Sequence, residues 1–106
     1  MQAAAGAELL SVLARTSVDL GATVEILTDL PTTSPALARL LGLMRRRDFA
    51  PNFPIRLVAK DLGYLDRLAR QVATQTPVLT TALSQFRAAE SAGLAELDIA
   101  GLAEFA

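Results

Sequence analysis

The sequence predicts an all-α fold, a bundle of five or six helices of which two are long. Hydrophobic residues make up 52% of the 106 residues, and alanine and leucine, both good helix formers, supply much of that fraction. Apolar residues recur at spacings of three and four, and no segment shows the strict alternation of a half-buried strand. The length suits a single domain with one core.

The first two predicted helices differ in how clearly they begin. Gln2–Ala14 is an alanine-rich helical pattern with so few polar positions that we expect it to be mostly buried. No capping residue precedes it, which favours the interpretation that the chain is part of a longer protein. Thr16, Ser17 or Asp19 can cap a short second helix at about Leu20–Thr28.

The third predicted helix has a clear start and a clear buried face. Ser34 is suited to the N-cap, and Pro35 takes the first helical position, where proline is favoured. We expect the helix to run to about Arg47. Its apolar residues follow the spacing of one buried face, which consists of Leu37, Leu40, Leu41 and Met44.

The longest predicted helix runs from Pro54 to about Thr74. Its apolar residues advance in steps of four and three, which predicts one continuous core stripe. The stripe consists of Val58, Leu62, Leu65, Ala69 and Val72. Gly63 lies inside the helix, where glycine costs about 1 kcal/mol relative to alanine. We therefore expect another backbone or a ligand to pass close to Gly63.

Two further helices are predicted in the C-terminal third. One begins at Pro77 and ends near Ala92, with Gly93 as its C-cap. Its apolar face consists of Leu79, Leu83 and Phe86. Asp98 is placed to cap the last short helix, Ile99–Phe105.

The composition excludes several kinds of chemistry. The chain has no cysteine and no histidine, so it lacks the commonest metal ligands and the commonest general base, and we expect no metal site. It contains no glycine-rich phosphate loop, no HExxH and no GxSxG. A net charge of -1 disfavours nucleic acid as a partner. No apolar run approaches the roughly 20 residues that span a bilayer, and without a basic start typical of a signal peptide we expect a cytoplasmic protein.

The stretch Arg47–Tyr64, which reads RDFAPNFPIRLVAKDLGY, holds the candidate site. Phe53 precedes Pro54 and is pushed out of the α region, so its ring could line a ligand pocket or fill a helix junction. Lys60 and Asp61 are neighbours on the predicted helix and point about 100° apart, so they cannot pair with each other. On the residues alone, they are either a solvated surface pair or part of a binding site.

Three segments occur in a recognisable order: the loop DFAPNF before the helix LVAKDL, the proline-started segment TPVLTTALSQFRAAESAG, and the final segment DIAGL. In this combination the chain resembles the C-terminal helical domain of the β-hydroxyacid dehydrogenases, the 3-hydroxyisobutyrate dehydrogenase family, which is related to 6-phosphogluconate dehydrogenase. The resemblance covers roughly Arg45 to Phe105 and, more loosely, Ala3 to Asp19. Asn52 stands where the family usually has glycine.

The resemblance implies a two-domain enzyme that uses NAD or NADP to act on the hydroxyl group of a small hydroxy acid. Residues 1–106 would form its single all-α C-terminal domain, after a Rossmann domain that this chain lacks. The family's catalytic lysine would lie upstream of Met1, so no catalytic residue is expected here. Lys60 would contact the cofactor, and Phe53 and Asp61 would belong to the substrate pocket. By itself the chain is expected to be inactive.

A second hypothesis treats the chain as a stand-alone helical association module without catalytic activity. Its motive is the apolar character of Gln2–Ala14, which has no evident partner in so short a chain. Such a helix could pack against a second copy of itself. Under both hypotheses we expect a homodimer or a higher oligomer, with neither nucleic acid nor membrane as a partner.

Overall fold

The computed structural model describes all 106 residues, and its regular elements are all helical. Five α-helices follow one another: α1 (Gln2–Ala14), α2 (Leu20–Thr28), α3 (Pro35–Arg46), α4 (Ile55–Gln71) and α5 (Pro77–Ala89). A π-helical turn at Glu90–Leu94 and a 3₁₀ helix at Ile99–Glu104 complete the chain. The predicted all-α class is confirmed. None of these helices combines the length and the apolar character needed to cross a membrane.

Local capping explains where α2 and α3 begin. The Asp19 carboxylate accepts a hydrogen bond of 3.0 Å from the backbone N–H of Ala22, and the Ser34 hydroxyl accepts one of 3.0 Å from that of Leu37. Pro35 occupies the first turn of α3. These bonds satisfy backbone donors that the first turn of a helix leaves without partners. The starts predicted for both helices are confirmed.

The ends of α4 and α5 are set by residues in the left-handed region. The helix α4 ends at Gln71, three residues before the predicted Thr74, because Ala73 turns to a φ of 53°. The α-helical part of α5 ends at Ala89, three residues before the predicted Ala92, and its C-cap is Glu90 rather than Gly93. A π-helical turn then continues to Gly93, whose φ of 89° ends the helical backbone. Glycine adopts that conformation without steric cost, so the predicted role of Gly93 as a helix terminator is confirmed.

The predicted core stripe of α4 is partly wrong. Val58 and Ala69 are buried as expected, but Leu65 and Val72 are exposed, Val72 by 61% of its surface. The face of α4 that packs inward consists of a different set of residues, namely Ile55, Val58, Ala59, Asp66 and Ala69. The helix carries apolar residues on two faces, and only one of them has a partner within this chain. Periodicity alone does not distinguish the two faces.

The prediction that α1 is mostly buried is also wrong. Its small residues and one leucine pack inward, since Ala3, Ala7 and Leu10 are buried. Leu9 and Val12 face away from the bundle, and 63% of the surface of Val12 is exposed. The inner face contacts α3 and the 3₁₀ helix. The outer face is therefore an apolar surface without a partner in the chain.

The core joins every helix at one end of the molecule. Its largest fully buried side chains include Phe86 of α5, Leu41 of α3 and Ile55 of α4. Buried residues in the far halves of α4 and α5, such as Ala69 and Leu83, lie outside that cluster. The α4–α5 hairpin thus extends beyond the core, which agrees with the elongated extents of 45 × 30 × 23 Å.

Candidate functional site

Asp98 fixes the loop that leads into α4. It is 1% exposed, and its Oδ1 accepts hydrogen bonds from the backbone N–H groups of Asn52 at 3.0 Å and Phe53 at 2.9 Å. Its Oδ2 accepts a further bond of 3.0 Å from the N–H of Ala100, which caps the 3₁₀ helix. One carboxylate therefore holds two segments that lie about 45 residues apart in the chain.

Backbone hydrogen bonds reinforce this junction on both sides. The N–H of Ile99 donates to the carbonyl of Phe53 at 2.9 Å, and the N–H of Ile55 donates to the carbonyl of Leu97 at 2.9 Å. Pro54 and Asp98 form an isolated antiparallel bridge. The hydrogen bonds of this bridge are made by Phe53 and Ile55, on either side of Pro54. Proline has no backbone N–H, so its presence here breaks none of them. The backbone that precedes α4 is thus held rigidly against the C-terminal segment.

The electrostatics of Asp98 follow from these bonds. Burial alone would raise the pKa of the Asp98 carboxyl, but the N–H groups of Ala100, Phe53 and Asn52, together with the charge of Arg39, outweigh it. The pKa of Asp98 consequently lies below its ordinary value. The carboxylate form is favoured by folding, and it is also the form that accepts all three bonds.

We expect this carboxylate to make stability fall in acid. Because the pKa of Asp98 is lower in the folded than in the unfolded chain, its contribution is fully present above the unfolded pKa of about 3.9. It is lost as the pH falls through the folded value. Urea unfolding measured from pH 6 downward should therefore show a loss of unfolding free energy below about pH 4. Asp98→Asn should flatten that slope, and equal slopes for the two proteins would contradict the assignment.

The three residues singled out in the sequence lie on the loop and on the outer surface of α4. The ring of Phe53 is 42% exposed, while its backbone N–H and carbonyl are both bound within the Asp98 junction. Lys60 and Asp61 are exposed, and neither takes part in an ion pair or a side-chain hydrogen bond. The structure thus holds the backbone of all three residues in place and leaves the charged groups of Lys60 and Asp61 without partners in the chain.

Asn52 adopts an ordinary backbone conformation. The only non-glycine residues with a positive φ are Arg47 and Ala73, so the left-handed conformation that asparagine tolerates is not used at position 52. The N–H of Asn52 instead donates to Asp98. The loop therefore needs no glycine at this position.

A groove of about 400 Å³ runs between α4 and α5. Its lining includes five cationic side chains and two carboxylates, although the whole chain carries a net charge of -1. The charged residues are Arg56, Lys60, Arg67, Arg70 and Arg87 on the one side and Asp66 and Glu90 on the other. The groove is thus a local concentration of positive charge.

Gly63 lies in the floor of this groove. A Cβ added at Gly63 would come 3.3 Å from Nη2 of Arg87, so the arginine of α5 crosses α4 at this glycine. The expectation that another backbone passes there is corrected, because the close neighbour within this chain is a guanidinium group. The expectation of a ligand near Gly63 stays a prediction. The side chain of Arg87 reaches this place because α4 presents no Cβ there.

Gly63→Ala is expected to raise the free energy of unfolding by about 0.5 to 1 kcal/mol. Alanine is a better helix former, and the atom it meets is the far end of a flexible arginine, which can move aside. Gly93→Ala provides a contrast of opposite sign, because Gly93 has a φ of 89° that alanine resists. Urea unfolding of both variants measures the two effects. A loss of stability in Gly63→Ala would contradict the account.

Comparison with known proteins decides the family. A family model described as "NAD-binding of NADP-dependent 3-hydroxyisobutyrate dehydrogenase" matches residues 1–106, the whole of the chain. The chain belongs to this family. The resemblance inferred from the sequence is confirmed.

Direct comparison with single proteins finds dehydrogenases as relatives. L-threonate dehydrogenases of Escherichia coli and Pectobacterium atrosepticum are each 27% identical to this chain over 95 residues, which is 90% of the chain. The chain spans about a third of the length of these relatives, 32% and 31% respectively.

A solved structure in the same 3-hydroxyisobutyrate dehydrogenase group has the same fold. The crystal structure of 3-hydroxyisobutyrate dehydrogenase from Salmonella typhimurium superposes with a TM-score of 0.91 at 24% identity. The superposition covers 98% of this chain and 36% of that one. At this identity the similarity concerns the fold, and it confirms the predicted likeness to the helical domain of such enzymes.

Two features of this family member were missed in the sequence. Asp98 was predicted only as a helix cap, whereas it also binds the loop at Phe53. Arg87 was not singled out, although it crosses α4 at Gly63. No local pattern signals either contact, since each joins segments that are distant in the chain. Gly63, a glycine inside a helix, was the one clue in the sequence to the contact with Arg87.

Proposed function

We propose that this chain is the helical domain that closes the active site of an NAD(P)-dependent hydroxyacid dehydrogenase. The observation that carries the proposal is the arrangement of Phe53, Lys60 and Asp61. The Phe53 ring is partly exposed on a loop fixed by Asp98, and the charged groups of Lys60 and Asp61 are exposed with no ion pair or hydrogen bond in the chain. Exposed charged groups on a fixed backbone, with no partner in the chain, are suited to a partner that arrives from outside. Membership of an NAD-binding dehydrogenase family supports the same role.

The roles of the three residues follow from their chemistry. Lys60 offers a compact cation suited to a ribose hydroxyl or a phosphate oxygen of the cofactor. The Phe53 ring would wall the substrate pocket and exclude water, and the Asp61 carboxylate would line or support that pocket as a hydrogen-bond acceptor. The nicotinamide would accept or donate the hydride. Since Lys60 is the only lysine of the chain, it leaves no second lysine for proton transfer.

The outer face of α4 supports a domain or subunit packed against it. Tyr64, Leu65, Leu68 and Val72 are all exposed there, next to Lys60 and Asp61. Contiguous apolar surface of this kind marks an interaction site. In the proposed enzyme the face would be covered by the dinucleotide-binding domain or by a second subunit.

The proposal is tested on the longest protein encoded by the gene that contains residues 1–106. We expect that protein to reduce added NAD or NADP when mixed with L-threonate or 3-hydroxyisobutyrate, the acids named for its relatives. The 106-residue chain alone serves as control and should show no turnover. Absence of turnover with a wide panel of small hydroxy acids and both cofactors would refute the function.

A second candidate is association through α1. Leu9 and Val12 on its outer face are exposed, so a second copy could bury them. We expect sedimentation equilibrium of the 106-residue chain to show a homodimer or a higher oligomer that Val12→Glu dissociates, because the glutamate would place a charge in the apolar contact. A strict monomer at high concentration would count against this candidate.

A further inference from the structure

The groove between α4 and α5 contains cations that no carboxylate neutralises. Arg56 pairs with Glu96 at 2.9 Å, and Arg70 pairs with Asp66 at 3.1 Å. The remaining three cations of the groove, Lys60, Arg67 and Arg87, have no ion pair within the chain. Glu90 is the one carboxylate of the lining without an ion pair, so the groove keeps a surplus of positive charge after its internal pairs are formed.

The spacing along α4 gathers this charge on one stripe. Residues 56, 60, 63, 67 and 70 advance in steps of four and three, the spacing of a single helix face, and Gly63 lies at the middle. Arg56 and Lys60 are like charges four apart, and Arg67 and Arg70 are like charges three apart. Like charges at these spacings repel each other. One member of each pair is held by a carboxylate, Arg56 by Glu96 and Arg70 by Asp66, so Lys60 and Arg67 are the cations of the stripe that a bound anion could neutralise.

Two guanidinium groups are positioned toward the same part of the groove. Arg87 lies over Gly63, with its Nη2 3.3 Å from where a Cβ would be. The guanidinium of Arg67 lies over the ring of Tyr64, with Cζ 4.8 Å from the ring centroid. This cation–π contact restricts where the arginine points. The planar donors of arginine match the oxygens of phosphate, which they bind in pairs.

We propose that Arg67 and Arg87, with Lys60 beside them, form a binding site for a phosphate or pyrophosphate group. The oxyanion would lie against the Arg87 guanidinium that covers Gly63, in an open groove large enough to admit it. It could come from the nicotinamide dinucleotide or from a separate phosphorylated ligand. The site extends beyond the proposed dehydrogenase role, because its test on this chain requires neither turnover nor a nicotinamide.

The test is calorimetric titration of the 106-residue chain with inorganic pyrophosphate at an ionic strength of about 0.01 M, where charges are weakly screened. We expect saturable binding, weakened about tenfold by Arg87→Gln and by Arg67→Gln. Arg15→Gln is the matched control, because it removes the same charge from an exposed arginine at the end of α1, outside the groove. It should leave the affinity for pyrophosphate within about twofold. Tyr64 lines the groove, and the chain has no other tyrosine and no tryptophan. A change in tyrosine fluorescence on addition of pyrophosphate is therefore a second measure of binding in the groove.

Gly63→Ala separates a built site from general charge attraction. The variant keeps every charge but places a methyl group where Arg87 lies, so pyrophosphate binding should weaken without loss of stability. Equal weakening by Arg87→Gln and Arg15→Gln, unchanged affinity in Gly63→Ala, or no saturable binding would each overturn the proposal.

Parallel titrations with NAD and NADP assign the source of the oxyanion. Nucleotide binding as tight as that of pyrophosphate supports the site and assigns it to the cofactor. Pyrophosphate binding without nucleotide binding supports the site and assigns it to a separate phosphorylated ligand. If pyrophosphate binds while the longer protein shows no turnover, the site stands and the proposed dehydrogenase function fails.

Discussion

Asp98→Ala is expected to lower the free energy of unfolding by about 3 to 5 kcal/mol. The substitution leaves the N–H groups of Asn52, Phe53 and Ala100 without their acceptor, and an unsatisfied buried donor costs about 1 to 3 kcal/mol. A domain of this size is stable by about 5 to 15 kcal/mol, so the variant would be close to unfolding. Urea unfolding followed by far-UV circular dichroism measures the effect.

Two further variants keep this prediction testable if Asp98→Ala does not fold. Asp98→Asn keeps one carbonyl oxygen for the loop but presents a donor to one N–H, so its loss of stability should be smaller than that of alanine. Asp19→Ala removes an exposed cap that accepts a single bond, with an expected cost of about 1 kcal/mol. If Asp98→Ala and Asp19→Ala cost the same, Asp98 does not hold the loop as described.

Lys60→Ala in the longer protein is expected to lower kcat/KM by about 10- to 100-fold, mainly through a higher KM for the cofactor. The expected cause is the loss of a charge-assisted hydrogen bond to the cofactor. Because Lys60 is exposed and has no partner in the chain, the fold should not change. Steady-state kinetics with varied cofactor and varied hydroxy acid separate the effect on kcat from the effect on each KM. Circular dichroism checks that the fold is unchanged.

The controls for this substitution test charge and position separately. Lys60→Arg keeps a cation with a different shape and should retain part of the activity. Arg15→Ala removes a cation from the end of α1, away from the candidate site, and should leave kcat/KM within about twofold. A change of less than twofold for Lys60→Ala as well would show that the lysine does not serve the cofactor.

Short-range signals explain why much of the fold could be predicted. Asp19 and Ser34 bind N–H groups three residues ahead, and Gly93 relieves a steric restriction at its own position. Such effects depend on a few consecutive residues, so they can be read from the sequence. The starts of α2 and α3 and the terminating role of Gly93 were predicted correctly for this reason. Ala73 ends α4 without a sequence signal, since alanine is ordinarily a helix former.

Long-range packing explains what the sequence could not provide. The periodicity of α4 is satisfied by two apolar faces, and only the position of α5 and the 3₁₀ helix determines that Ile55 is buried and Leu65 is not. The same holds for α1, where Leu10 packs inward and Val12 does not.

The candidate site also has a part that the sequence predicts and a part that only the tertiary structure shows. The sequence pointed to the loop and to Lys60 with Asp61, but the fixing of that loop by Asp98 and the crossing of Arg87 over α4 required the tertiary structure. The roles assigned to Phe53, Lys60 and Asp61 remain predictions.

The most direct test of the proposed half site is the reactivity of Lys60 toward an amine-labelling reagent, measured peptide by peptide with mass spectrometry. Lys60 is the only lysine of the 106-residue chain and is exposed, so it should be labelled readily in that chain in the absence of any nucleotide. In the longer protein, addition of the cofactor should slow the labelling of Lys60 about tenfold or more, with kinetics that saturate with cofactor concentration. Equal labelling rates with and without saturating NAD and NADP would contradict the claim that Lys60 faces the cofactor.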